Sequence, residues 1–263
     1  MASDMLEQIE KIALTAGKAI LDVYQAGANV TFKDDASPVT EADERAEAII
    51  LEGLEKAFPG IPVVAEESVA AGRIPDIEGK SFFLVDPLDG TKEFINRRDD
   101  FTVNIAYVEN GVPVLGVVYA PARNVAFSGG KAGASKFSVS PDFAVVDRQS
   151  ISCKAPSQTL TAVASRSHNS PETEAFLREK GISETRSVGS SLKFCILAEG
   201  LADVYPRFGR TMEWDTAAGD AVLRAAGGMT YDLDRQPFRY GKTGQVHDSD
   251  FANGHFVSWA CPD

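Results

Sequence analysis

The chain has 263 residues, 44% of them hydrophobic, and a formal net charge of −12, so it can bury a core as one large domain or two closely packed halves. The acidic balance excludes nucleic-acid polymers as partners, because backbone binding needs clustered Lys and Arg, but it admits a small anionic ligand met by metals and a few placed cations. Cys153, Cys195 and Cys261 stand far apart with no CxxC and no paired His, which indicates neither a disulfide framework nor a zinc site, and no run approaches the ~18 apolar residues of a membrane span.

The N-terminus, Met1-Ala2-Ser3-Asp4-Met5-Leu6-Glu7, is acidic where a secretory leader would be basic. The expected location is therefore the cytoplasm, with peripheral contact at the inner face of a membrane still compatible. From Met5 to Tyr24 the apolar residues Leu6, Ile9, Ala13, Ala16, Ile20 and Tyr24 fall three or four apart and predict an amphipathic helix. A polar loop at 33–38 leads to a second helix, opened by Thr40, striped by Ala42, Ala46, Ile49, Ile50 and Leu54, and closed at Pro59-Gly60. Short strands are expected at 62–65, 82–85, 102–108 and 113–119, the last two joined by a hairpin turn at Glu109-Asn110-Gly111. Residues 123–156, rich in Gly, Ser and Pro, read as hairpins and loops joining two halves, 1–150 and 151–263. Beyond them come a strand at 159–165, helices at 171–180 and 191–199, a strand at 202–206 and a small-residue helix at 216–226. That alternation favours an α/β second half.

Chemistry concentrates in the acids. Asp86-Pro87-Leu88-Asp89-Gly90-Thr91 follows the apolar run 81–85 and puts two carboxylates and a phosphate-sized turn at a strand end. Gly90-Thr91 is expected to open a helix whose free N–H groups can hold a phosphate. Upstream lie Glu66-Glu67; paired acids after a short strand are often only solvated, and one of the two is the expected ligand. Asp43 lies in Thr40-Glu41-Ala42-Asp43, which fits a helix capping box, and Asp215 at the start of a helix suits the dipole without any metal. If these acids converge, each pair about 4 Å apart repels by roughly 4 kcal/mol at an effective dielectric near 20. Metal ions balance such a set while leaving every acid ionised, and oxygen donors favour a hard cation, Mg²⁺ first.

DPLDGTKEF at 86–94, AEES at 65–68, PVTEAD at 38–43 and WDTAAGDAV at 214–222 together resemble the inositol monophosphatase superfamily, in the family's order and over nearly the whole chain. Within it, residues 93–121, 165–168 and 189–215 look most like the CysQ-type 3′(2′),5′-bisphosphate nucleotidases. The resemblance implies a layered αβαβα fold of class α/β, with an α+β N-terminal half. It implies that Glu66, Asp86 and the Leu88 carbonyl hold one Mg²⁺, that Asp86, Asp89 and Asp215 hold a second, and that a third can bind loosely near Glu66. Thr91 paired with Asp43 would accept a proton from the attacking water, and the Gly90 and Thr91 N–H groups would bind the scissile phosphate. Ser190, Lys193 and Arg207 are placed near the second phosphate or sugar of the nucleotide, and His168 near the base; Asp215 would also border the substrate. His247 and His255 carry no motif.

The implied reaction is hydrolysis of adenosine 3′,5′-bisphosphate, or its sulfated analogue, to the 5′-nucleotide and phosphate, by a lithium-sensitive monomer or homodimer that clears a by-product of sulfate assimilation. An inositol or sugar phosphatase on the same centre is the rival enzyme, and a regulatory protein binding metal or nucleotide without turnover is the rival of another class. Three departures bear on fine specificity: Ala65 where the family often has Gly, Arg210 where the subgroup usually has Pro, and a poor match over 123–156.

Overall fold

The computed structural model describes residues 2–27, 30–32, 38–155, 159–164 and 170–262. Helices occupy Ala2–Ala26 (α1), Glu41–Ala57 (α2), Glu66–Ala70 (α3), Thr91–Ile95 (α4), Pro171–Glu179 (α5), Leu192–Ala198 (α6) and Glu213–Ala225 (α7). Among the described residues, no helix is long and apolar enough to cross a membrane.

The apolar stripes of α1 and α2 explain the first layer. Ile9, Ala13, Ala16 and Ile20 meet Ala42, Ala46, Ile50 and Leu54, and both sets pack on Phe83, Val85, Val103, Ile105 and Val117 of a sheet. Its strands run, in spatial order, 63–65, 82–89, 102–109, 112–120, 125–130, 133–139 and 145–151; the first pair is parallel and the others antiparallel. Strand alternation sends Phe82, Leu84, Ala106, Val108 and Val118 to the opposite face, against α6 and α7. Those two helices also cover a second sheet, ordered 184–187, 161–164, 204–207, 256–259, 229–232, in which 256–259 alone runs against the other four strands. On its far face Phe176 and Leu177 of α5 pack against Ala162, Val204, Val257 and Trp259. The order is thus helix, sheet, helix, sheet, helix, the layering expected of this class.

The middle layer is unusually tight because its surfaces are stripped of side chains. A Cβ on Gly116 would come within 2.4 Å of the Ala218 carbonyl oxygen, and one on Gly129 within 2.6 Å of the Val222 Cα. These two bare positions let the α7 backbone lie against the sheet. Across α7, Gly219 admits the ring of Phe194 from α6. Val222 and Leu223 are fully buried, each worth about 2 kcal/mol by area.

Several expectations are corrected. The hairpins expected within 123–156 are present, but they are not a connector between halves: three consecutive strands, 125–130, 133–139 and 145–151, extend the first sheet. The last of these is exposed at almost every position, so backbone pairing forms it without an apolar pattern. The second sheet is mixed because the late strand 256–259 runs antiparallel to both its neighbours, 204–207 and 229–232. The strand expected to stop at 85 runs on to Asp89.

Candidate active site

The extension of that strand decides where its acids point. In a regular strand, residues three apart face opposite sides. Here Asp86 pairs with Asn104 and Asp89 with Thr102, so three steps on one strand oppose two on the other. This single-residue bulge resets the alternation and brings both carboxylates to the α7 side. Pro87, having no N–H to contribute to the ladder, is suited to a bulge. Leu88 turns instead into the α1–α2 core.

Three other elements deliver acids to the same place. Ala65 pairs in parallel with Val85, so Glu66, at the start of α3, arrives beside Asp86. Glu47, buried in α2, holds that turn by accepting from Glu67 N (2.8 Å) and Ser68 Oγ (2.7 Å). Asp215 enters from the first turn of α7, where its Oδ2 accepts from Met212 N at 2.7 Å. The four carboxylates share one field. Burial pushes Asp86 and Asp215 well above the usual carboxylate range, with Glu66 and Asp89 adding repulsion to both and Asp215 adding to Asp86. Burial likewise raises Asp89 to about 6, opposed by Lys193 and by hydrogen bonds from Ser191 N and Asn104. Among the described residues no three acids are already drawn into a metal-binding group. Asp86 accepts from Leu88 N (2.9 Å), while Asp89 and Asp215 accept from Ser191 and Met212.

Asp43 combines both roles considered for it. Its Oδ2 accepts from Thr40 N (2.8 Å) and Thr40 Oγ1 (2.7 Å), closing the capping box, while Oδ1 faces Thr91 Oγ1 at 3.2 Å. Burial lifts this acid to about 6, against the pull of the Thr40 hydrogen bonds. Thr91 Oγ1 lies equally 3.2 Å from the Leu88 carbonyl. Both neighbours are acceptors, so the threonine proton is committed to them and its lone pairs are left for a donor. Gly90 caps α4 with φ +94°, and a Cβ there would press on the Asp100 carbonyl and Phe101; only glycine suits both demands.

A cavity of about 500 Å³ opens over this group, lined by Glu66, Asp89, Gly90, Thr91 and Asp215 on one side and by Ser190, Lys193, Tyr205 and Arg207 on the other. Asp86 and Asp43 lie beneath the wall, almost wholly buried.

A family model, the inositol monophosphatase family, matches residues 1–257. The chain belongs to the inositol monophosphatase family. Within the family, it is 44% identical over 240 residues to the 3′(2′),5′-bisphosphate nucleotidase CysQ of Escherichia coli K12, covering 90% of this chain and 94% of that one. It is 39% identical over 258 residues to the nucleotidase CysQ of Buchnera aphidicola, covering 97% and 94%. The solved CysQ of Bacteroides thetaiotaomicron superposes with a TM-score of 0.80 at 37% identity, covering 99% of this chain and 98% of that one. An inositol monophosphatase of Thermotoga maritima gives 0.76 at 26%, covering 98% and 92%.

Across the cavity the family fold also gathers the cations expected from sequence. Lys193 is not a solvated helix residue: it is 7% exposed, its Nζ donates to the Ser190 carbonyl at 2.9 Å, and it sits over the Tyr205 ring. Burial drags it down to about 8, with Asp89 resisting. Arg207 donates through Nη2 to the Arg210 carbonyl (3.3 Å), while its buried Nε has no hydrogen-bond partner. Ser190 holds φ +44°, a left-handed conformation for a non-glycine residue. His168, expected near the base, lies outside the described residues. Arg210, at the departure from the subgroup's Pro, is tied to Asp248 and Ser249. Sequence reasoning missed Asn104, Ser191, Asp100 and Glu47. The first sits in an apolar run that reads as plain strand, and the other three are ordinary polar residues with no motif of their own.

Proposed function

We propose that this cavity is the active site of a phosphomonoesterase that removes the 3′-phosphate of adenosine 3′,5′-bisphosphate, giving AMP and phosphate. The observation that carries the reading is the convergence of Glu66, Asp86, Asp89 and Asp215 in one field, beside the Asp43–Thr91 pair and facing Lys193 and Arg207. The names of the relatives agree with it. A cytoplasmic location belongs to the same proposal.

The donor set fits a hard divalent cation. Every ligand offered is oxygen, and the buried acids are held above their usual range by burial and by mutual repulsion, both of which a cation among them offsets. Glu66, Asp86 and the Leu88 carbonyl would hold one Mg²⁺, and Asp86, Asp89 and Asp215 a second, with room for a third near Glu66. Bound there, Mg²⁺ supplies polarisation of the phosphate, a lowered pKa for water and charge relief for the leaving oxygen.

The chain itself does the positioning and the proton work. With its own proton given to Asp43, Thr91 Oγ1 can accept one from the attacking water, and Asp43, raised to about 6, can take up the excess charge near neutral pH. The water oxygen forms a bond to phosphorus as the P–O3′ bond breaks, and the leaving O3′ takes up a proton from solvent, to which the protonated Asp43 returns its own. Gly90 and Thr91 N–H groups would orient the scissile phosphate. Lys193, Arg207 and Ser190 would hold the second phosphate, with the unpartnered Arg207 Nε as a donor awaiting an acceptor.

Purified protein with Mg²⁺ should release phosphate from adenosine 3′,5′-bisphosphate at least about 10²-fold faster than from inositol 1-phosphate, the scale of one or two charge-assisted contacts. Equal or reversed rates in the same assay defeat the nucleotide assignment in favour of a sugar phosphatase.

Lys193 gives a second, pH-resolved outcome. It is charged below about 8 and neutral above, so KM for the bisphosphate should climb as the pH passes that value. Lys193→Arg, whose charge persists, should flatten the climb. Lys193→Ala should cost about 10- to 100-fold in kcat/KM on the bisphosphate and little on adenosine 3′-phosphate. An equal loss on both substrates removes the lysine from phosphate recognition.

A further inference from the structure

A buried chain of hydrogen bonds runs behind the cavity wall and joins residues far apart in sequence. Thr102, Asn104 and Ser191 are each at most 1% exposed. Asn104 Nδ2 reaches Ser191 Oγ at 2.9 Å and Asp89 Oδ2 at 3.4 Å, while its Oδ1 faces Thr102 Oγ1 at 3.0 Å. Ser191 N donates to the same Asp89 Oδ2 at 2.8 Å, and Ser191 Oγ lies 2.5 Å from the Asp215 carbonyl. Thr102 Oγ1 is 3.2 Å from Ser190 Oγ.

The proton directions from Asp215 to Asn104 follow from the donor and acceptor types. The Asp215 carbonyl can only accept, so the Ser191 proton goes there and Ser191 Oγ must accept from the Asn104 amide. That fixes the amide orientation and turns Asn104 Oδ1 to Thr102, whose single proton it takes. Both donors to Asp89 land on Oδ2, which sets the plane of that carboxylate. At the other end the strained φ of Ser190 is over-determined by Thr102, by Lys193 on its carbonyl and by Asp100 on the preceding Gly189 N–H (2.9 Å).

We propose that Asn104 and Ser191 are positioning residues that lock the Asp89 carboxylate to the first turn of α7, so that Asp89 and Asp215 meet a cation pre-aligned, and that Thr102 carries the same ordering to Ser190 on the substrate side. The proposal rests on reading Asp89 and Asp215 as cation ligands. Packing alone would not need it: an apolar trio could fill the same volume without having to satisfy any buried polar atoms.

The test is calorimetric Mg²⁺ titration of the metal-stripped full-length protein, paired with melting curves and steady-state kinetics. Ser191→Ala should bind Mg²⁺ about tenfold more weakly, the usual effect of losing a ligand's own support, and lose kcat rather than KM. Ser191→Thr, which keeps the hydroxyl, should return both to within about twofold. Asn104→Ala should behave as Ser191→Ala does, and Asp89→Asn in the same titration checks the underlying reading. If Asp89→Asn loses one class of Mg²⁺ site while the Ser191 and Asn104 variants bind as the parent does, the chain is structural only and the proposal fails. If Asp89→Asn also binds as the parent does, the cation reading itself falls and takes the proposal with it.

Discussion

Asp89→Asn should yield a folded protein whose phosphate release drops at least about 10³-fold, the scale on which removing a group that stabilises transition-state charge acts. The substitution is nearly isosteric, and the amide oxygen can still accept from Ser191 N and Asn104, so the local hydrogen bonds survive. What changes is charge. At neutral pH the parent keeps an ionised carboxylate in a buried place that raises it to about 6, and that costs the metal-free fold roughly 3 kcal/mol. The variant should therefore melt higher than the parent in the absence of divalent ions. Added Mg²⁺ should raise the melting point of the parent more than that of the variant, which keeps only the site of Glu66, Asp86 and the Leu88 carbonyl. A variant that keeps turnover, or that gains the same Mg²⁺-dependent shift, removes Asp89 from the cation site.

Gly116→Ala is expected to be the most damaging change away from the acids. Its Cβ would fall 2.4 Å from the Ala218 carbonyl oxygen and 2.7 Å from the Ala221 Cβ. Those neighbours belong to the helix backbone and its stubs, which cannot swing aside as a long side chain could. The relief must come from displacing α7, at about 3 kcal/mol, or roughly 6–12 °C in Tm for a chain of this size. Because α7 carries Asp215, activity below the melting range should fall as well. Gly60→Ala is the control: Gly60 has φ +82° and nothing within 4 Å of an added Cβ, so only backbone strain of about 1 kcal/mol applies. Matching melting points for the two variants would overturn the close-packing account.

The acids were legible because each lies in a short local pattern: two carboxylates after an apolar run, a capping box, an acid at a helix start. Their convergence was not a local property. The bulge that turns Asp86 and Asp89 to one side exists only against the partner strand at 102–104, and no spacing within 86–91 specifies it. Lys193 was placed near the nucleotide by resemblance, but its burial was not legible, because helical charge is usually solvated, whereas α6 is so short and so enclosed that all its residues but Ile196 are buried. The strand at 145–151 carries polar residues on both faces and is held by its neighbour's backbone, so periodicity could not mark it. The late strands 229–232 and 256–259 are four residues each and pair across more than twenty residues of chain, where sequence pattern is weakest.

The placement of α7 between the two sheets has a consequence for how the molecule could be taken apart. The first 151 residues contain Asp43, Glu66, Asp86 and Asp89, while Asp215 arrives only with the remainder, on a helix that lies against the sheet of that first segment. Two separately made pieces would each be chemically incomplete however well they folded. Phosphate release on mixing would then count reassembled molecules directly, making this enzyme its own reporter of fragment association.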